Sequence, residues 1–168
     1  MISVDNAYIV QYLKGHFEKE ILNIEEPYGF LTIEVKKEGL IALLVAIKND
    51  SVLQMNFLTD LCGVHYPENA NRELAVVYHL HSFINNVRLR LKVFIPASDP
   101  QIPSATAVFD TANWMERETF DFYGILFQGH PKLKRILNVD DMDYHPLLKQ
   151  YRLEDGTRTD KVDSFFGR

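Results

Sequence analysis

Glu116, Arg117 and Glu118 stand side by side, Asp121 follows three residues later, and behind them come Phe122-Tyr123-Gly124, His130-Pro131 and Lys134-Arg135-Ile136-Leu137. A carboxylate among bulky apolar groups must find a donor or stay neutral. Such a set can serve acid–base catalysis or hold two surfaces together through desolvated charge pairs. Glu116 and Glu118 are two apart on a helical stretch and point apart, whereas paired catalytic carboxylates must face each other across a substrate. The set therefore favours adhesion over catalysis.

A second constellation lies upstream. His79 and His81 fall on one face of a predicted strand, and His65 lies on a neighbouring one. Three imidazoles could ligate zinc, making a small metal enzyme the alternative of another class. The plainer account is a polar open sheet face beside Arg88, Arg90 and Lys92, which could also dock an acidic partner. GxGxxG, GxxxxGK[ST], CxxC, HExxH and GxSxG are all missing from the sequence. The single cysteine, Cys62, cannot pair internally or hold an iron–sulfur cluster alone, and a reducing, cytoplasmic setting is expected.

These groups need elements to position them. Residues 4–18 read as a helix capped by Ser3 or Asp5, with Ile9, Tyr12, Leu13 and Phe17 at helical spacing. Residues 21–26 and 30–36 read as strands around Pro27-Tyr28-Gly29. Residues 39–49 read as a mostly buried helix, with a strand left open. Strands follow at about 54–66, 74–82 and 87–95, separated by the polar turn 67–71 and by Asn85-Asn86. In the last strand Val87, Leu89, Leu91, Val93 and Ile95 alternate with Arg88, Arg90 and Lys92, the pattern of a sheet with helices on one face. Pro96, Pro100 and Pro103 close the sheet region, and Thr111 is placed to cap a helix over 112–123 that stops at Gly124.

On a wheel of about 100° per residue, Ala112, Met115, Phe120, Phe122 and Tyr123 share one arc of that helix, with Asn113, Arg117, Glu118 and Asp121 opposite. Glu116 falls in the apolar arc and Trp114 on the polar side. Arg135, Lys134 and His130 are candidate partners for Glu116. Arg117 and Asp121 are spaced to pair on the exposed side. Trp114 reads as an aromatic anchor. The plain alternative is a solvated helix face with one internal salt bridge. Residues 125–168 have little periodicity and read as a disordered tail or an extended arm over a partner. Phe127, Tyr144, Tyr151, Phe165 and Phe166 favour the arm.

At 168 residues, 46% apolar and net charge −5, the chain can bury one core and is a poor match for nucleic acid. Its longest apolar run, 40–47, is far short of a membrane span, and MISVDNAY is not expected to act as a secretory signal.

Residues 116–137 closely resemble the signature of the 30 kDa subunit of respiratory complex I, the C-type subunit of bacterial NADH:quinone oxidoreductase. The matching positions are Glu116, Arg117, Glu118, Asp121, Phe122, Tyr123, His130, Lys134, Ile136 and Leu137. NFLTDLCGVHYPE, VVYHLHSF, VRLRLKVFIP and DTANWMERE resemble the segments leading to it. After Leu137 the family often has DDWxGxPLRKDYPL where this chain has DDMDYHPLLKQYRL. Asp141, Pro146, Leu147, Lys149 and Tyr151 fit, while Met142, Tyr144, Leu148 and Gln150 depart, which leaves the arm's contacts open.

The resemblance implies an α+β fold: a two-layer domain (helix, two strands, helix, three strands in a mixed sheet), then the signature helix and an extended C-terminal arm. That divides the chain into 1–123 and 124–168. It implies a scaffold without catalytic residues or cofactor, FMN and iron–sulfur clusters belonging to other subunits. It places the chain peripherally on the cytoplasmic side of the bacterial inner membrane, touching the membrane only through the complex. Its chief partner there is the 49 kDa (D-type) subunit, with subunits B and I close by. The residues expected at partner interfaces are Trp114, Glu116, Arg117, Glu118, Asp121, Tyr123, Gly124, His130, Pro131, Lys134, Arg135, Pro146, Lys149 and Tyr151. Loss of Glu116 or Arg117 is then expected to spare the fold and lower assembly. A homologous subunit of a membrane-bound hydrogenase or ferredoxin-dependent complex, or a stand-alone binding module, remains open on the same residues.

Overall fold

Apolar residues of this chain recur at two periods, and the two periods build two layers. The computed structural model describes residues 4–151. Ser3, Phe165, Phe166 and the arm beyond Tyr151 lie outside the described residues.

Helix α1 (Asn6–Phe17) starts at Asp5, whose carboxylate accepts from the Tyr8 N–H at 2.8 Å, and it buries Ile9 and Leu13. Strands β1 (Ile21–Glu25) and β2 (Thr32–Val35) form an antiparallel pair. Helix α2 (Leu40–Asn49) is apolar on most sides and buries Leu40, Leu43, Leu44 and Ile47, which settles the helix-or-strand choice for that run. It carries the chain across to the far edge of the sheet. From there β3 (Phe57–His65), β4 (Leu74–Ser82) and β5 (Val87–Ile95) meander back, and β5 pairs in parallel with β2. The strand order is β1-β2-β5-β4-β3, a mixed sheet with β3 as an outer edge.

Leu89, Leu91, Val93 and Ile95 are all buried, and the register puts them beside Leu80, Tyr78, Val76 and Leu74 on one face. Burial of such side chains is the main stabilising term. The opposite face carries the charges, and it is less basic than the sequence implied. Lys92 pairs with Glu25 at 3.0 Å, Arg72 with Glu34 at 2.7 Å, and the Arg90 guanidinium lies 4.5 Å from the centre of the Phe30 ring.

Two elements escaped the sequence. After the sheet, β6 (Gln101–Pro103) pairs in parallel with β7 (Leu126–Gln128), and helix α3 (Ala112–Tyr123) runs between them. The stretch after Gly124 thus begins inside the fold, with Ile125 and Phe127 buried. Thr111 does not cap α3 with its side chain. The chain instead enters the helix through turns, Ala112 N–H to Phe109 O at 3.0 Å and Asn113 N–H to Asp110 O at 3.2 Å. Gly124 ends α3 at φ 75°, a left-handed conformation that glycine adopts without penalty.

Helix α3 lies against the edge strand at Gly63. A Cβ there would meet the Tyr123 ring at 2.5 Å and the Thr119 methyl at 2.9 Å. Gly63→Ala is expected to force α3 off β3 and cost about 1–3 kcal/mol. Urea unfolding of the full chain checks it, and an unchanged midpoint counts against this close approach.

Candidate functional site

The charged residues of the signature split between the inside and the outside of the molecule. Glu116 is wholly buried. Its carboxylate accepts from the Ser104 hydroxyl and the Ala105 N–H, each at 2.6 Å, and not from Arg135, Lys134 or His130 as expected. The helix places Glu116 over the loop following β6, where Ser104, which opens a short turn, and Ala105 supply the two donors. Burial pushes the Glu116 carboxyl up to about 7, against the pull of the Ser104 and Ala105 hydrogen bonds. The Tyr78 hydroxyl lies close by, buried and without a partner among the described residues. Burial, and then the charge of Glu116, hold that phenol well above its usual range.

Asp121 is also wholly buried, which corrects both its place on the exposed side of the wheel and its pairing with Arg117. The chain beyond β7 returns and folds over it. Oδ2 accepts three successive backbone N–H groups, from Ile136 at 3.1 Å and from Leu137 and Asn138 at 2.9 Å. Oδ1 accepts from Arg135 Nη1 at 2.6 Å and from Asn138 Nδ2 at 3.1 Å. Burial works to raise this carboxyl, but the N–H groups of Asn138 and Leu137 and the side chains of Arg135 and Asn138 prevail and hold it well below the usual carboxylate range. Arg135 reaches further, donating to the Met142 and Tyr144 carbonyls at 2.7 and 2.9 Å. One buried ion pair thus clasps two stretches of the arm to the end of α3.

The remaining signature residues reinforce the clasp or stand outside it. Arg117 donates to the carbonyls of Lys134 at 3.1 Å and Arg135 at 2.8 Å. His130 accepts the Lys132 N–H on Nδ1 at 3.0 Å, so its Nε2–H donates to the Asn113 carbonyl, also at 3.0 Å. The His145 ring lies over Gly124, where a Cβ would meet it at 2.7 Å, and its Nδ1–H donates to the Asp121 carbonyl at 2.9 Å. Tyr123 is half-buried against Gly63, and Pro146 is half-buried. The Lys149 N–H donates to His65 Nδ1 at 2.9 Å, and Tyr151 packs on Tyr144 with ring centres 4.8 Å apart. Trp114, Glu118, Pro131 and Lys134 face outward, and around them Leu137 and Val139 are also exposed.

The three histidines do not come together. Asp60 stands opposite His79, and His65 lies five residues further along β3, about 16 Å away at strand rise. Among the described residues no group of three or more His, Cys, Asp or Glu is placed to hold a metal ion.

The family model described as the respiratory-chain NADH dehydrogenase 30 kDa subunit matches residues 33–157. The chain belongs to that family. Relatives carry the same label in finer form, as the C-type subunit of NADH-quinone oxidoreductase. The chain is 45% identical over 125 residues to the one from Nocardioides sp., covering 74% of this chain and 50% of that protein. It is 44% identical to the one from Mycobacterium ulcerans, over 82% of this chain and 58% of the relative. The chain thus spans about half the length of these curated relatives. The Roseiflexus sp. relative is nearer in size, 41% identical over 90% of this chain and 87% of its own. Among solved structures, a trypsin-resistant fragment of Nqo5 superposes with a TM-score of 0.65 at 30% identity, covering 74% of this chain and 98% of the fragment. A chain from the membrane-bound sulfane sulfur reductase, an archaeal respiratory membrane complex, superposes with a TM-score of 0.72 over 88% of this chain and 85% of its own, at 20% identity. That second likeness speaks for the fold alone.

Ser104, Asn138 and His145 were missed by sequence reasoning. Pro103-Ser104-Ala105-Thr106 has the composition of a serine-headed turn, the one signal that pointed at Ser104. No local signal marks Asn138 or His145, because each owes its role to the returning arm.

Proposed function

We propose that this chain is a non-catalytic scaffold subunit in the peripheral arm of a membrane-bound NADH:quinone oxidoreductase. The carrying observation is the Asp121–Arg135 clasp. It fixes the arm on α3, and Trp114, Pro131, Lys134, Leu137 and Val139, from the helix and the arm, are each exposed. Exposed aromatic and aliphatic groups rimmed by charge mark a surface that another protein covers. The chief partner on this reading is the 49 kDa (D-type) subunit, with subunits B and I beside it. The complex oxidises NADH, reduces quinone and translocates ions. FMN and the clusters belong to other subunits, in keeping with a single cysteine here. The chain sits on the cytoplasmic side and reaches the membrane through its neighbours. None of its described helices is long and apolar enough to cross a bilayer.

Burial changes what mutation should do. Glu116 cannot be removed without stranding the Ser104 hydroxyl and Ala105 N–H, so Glu116→Ala is expected to weaken the fold itself. Trp114→Ala is the cleaner test. It is expected to leave thermal unfolding of the full chain within about 0.5 kcal/mol of wild type but to cost the interface about 2 kcal/mol or more, roughly a thirtyfold loss of affinity. Blue-native gels of membranes read the assembled complex, and wild-type levels in Trp114→Ala would remove the interface role. Proteins co-purifying with the chain identify the electron donor and separate this reading from a related hydrogenase or ferredoxin-dependent complex.

A further inference from the structure

Between the edge strand β3 and helix α3 lies a cavity of about 250 Å³ lined by Asp60, Cys62, Glu118, Phe122, Tyr123 and Leu147, among others. A second hollow of about 270 Å³ continues from Tyr123 and Leu147 toward Leu148 and Tyr151. We infer that this groove receives an arginine side chain, with its flanking segment, from a neighbouring protein of the complex. The inference rests on the membership proposed above and gives that interface its chemistry.

Charge carries it first. Asp60 comes from the strand and Glu118 from the helix, and both line the same cavity. Both are exposed, and among the described residues neither makes an ion pair or accepts a hydrogen bond, so both are open to an incoming donor. Both carboxylates act on one sulfur. The Cys62 thiol is pushed up first by burial, then by Asp60, with Arg90 opposing and Glu118 adding to the rise. Tyr123 is raised by burial, then by Cys62 and Glu118. A cation entering the cavity would meet a carboxylate from each of the two elements.

Size and shape select the cation. Each hollow by itself falls below the roughly 300–1,000 Å³ of pockets for drug-sized ligands and cofactors, and the two in succession suit a side chain followed by its flanking segment. Among the described residues no group of three or more His, Cys, Asp or Glu is placed to hold a metal ion, which sets a divalent cation aside. A guanidinium fits the remaining features. Its planar fork can bridge carboxylates from two elements, and its plane stacks on an aromatic ring such as Tyr123. Its aliphatic stem would lie along Phe122 and Leu147. The close approach of Tyr123 to Gly63 fixes that ring as one wall of the cavity.

The test uses the full chain in native membranes, with p-benzoylphenylalanine in place of Phe122 as a photo-crosslinker. The expected adduct joins this chain to a peptide of another protein of the complex that carries an arginine within reach. Glu118→Arg and Asp60→Arg, charge reversals on two different elements, are each expected to cut the adduct and the assembled complex about tenfold, and Glu118→Gln less. Circular dichroism of each variant separates misfolding from lost docking. An adduct on a peptide without arginine, or reversals that assemble as wild type, overturns the groove and leaves membership of the complex standing. A wild-type chain that co-migrates with no other protein overturns both.

Discussion

Asp121→Ala is expected to cost about 3–5 kcal/mol and to lift the arm off α3, because it leaves Arg135 without its counter-charge and three neighbouring N–H groups without an acceptor. The side chain is wholly enclosed, so solvent cannot fill the gap at no cost. Hydrogen exchange of the full chain gives the sharper measurement. The amides of Ile136, Leu137 and Asn138 should lose protection while those of the β4–β5 ladder change least. Equal protection at these three in wild type and variant would sink the clasp. The pH dependence has a definite sign. The carboxyl of Asp121 is held below its ordinary value of 3.8, so its contribution is fully present above that value. It is lost only as pH falls toward the depressed value of the folded state. Mild acid should leave the arm docked.

Glu116 has the opposite sign. Its carboxyl rises from 4.5 to about 7 in the fold, so the folded state holds the proton more tightly than the unfolded one. Its contribution is fully present below pH 4.5, declines as pH rises through about 7, and is constant above that. A rise of that size corresponds to a loss of roughly 3 kcal/mol. Glu116→Gln keeps the shape and cannot ionise. Its amide oxygen can still accept from Ala105, and its amino group can donate to the Ser104 oxygen. The variant is therefore expected to show a flatter stability profile between about pH 5 and 8 and to exceed wild type at the alkaline end. Urea unfolding at several pH values checks this. Parallel curves for the two proteins would show that the buried carboxyl does not set the slope.

The layers were legible where local pattern and tertiary environment agree. Strand β5 alternates Leu89, Leu91, Val93 and Ile95 with Arg88, Arg90 and Lys92, and its bounds were read as they stand. In helix α2 the apolar Leu40, Leu43, Leu44 and Ile47 stand at helical spacing and are the residues it buries. Reading failed where a partner arrives from far along the chain. The wheel of α3 put Asp121 in water because a wheel shows where a side chain leaves the helix, not what later lies over it. The residues over Asp121 are 14 to 17 positions downstream, in a stretch without periodicity. Strands β6 and β7 were hidden for another reason. Each has three residues, one ends in a proline, and each depends on the other for its hydrogen bonds. Glu116 was correctly marked as a carboxylate needing a donor, but its donors are neutral and lie before it in the chain. A search among later basic residues could not reach them.

The order of synthesis gives the clasp a further meaning. Helix α3 leaves the ribosome before its counterpart exists, carrying a carboxylate whose folded-state donors, Arg135, the three amides after it and the Asn138 side chain, are still to be made. A polypeptide interrupted between Asp121 and Asn138 has the sheet and the helix yet lacks the means to finish its outer surface. The fold thereby closes this outer surface only on chains translated past Asn138.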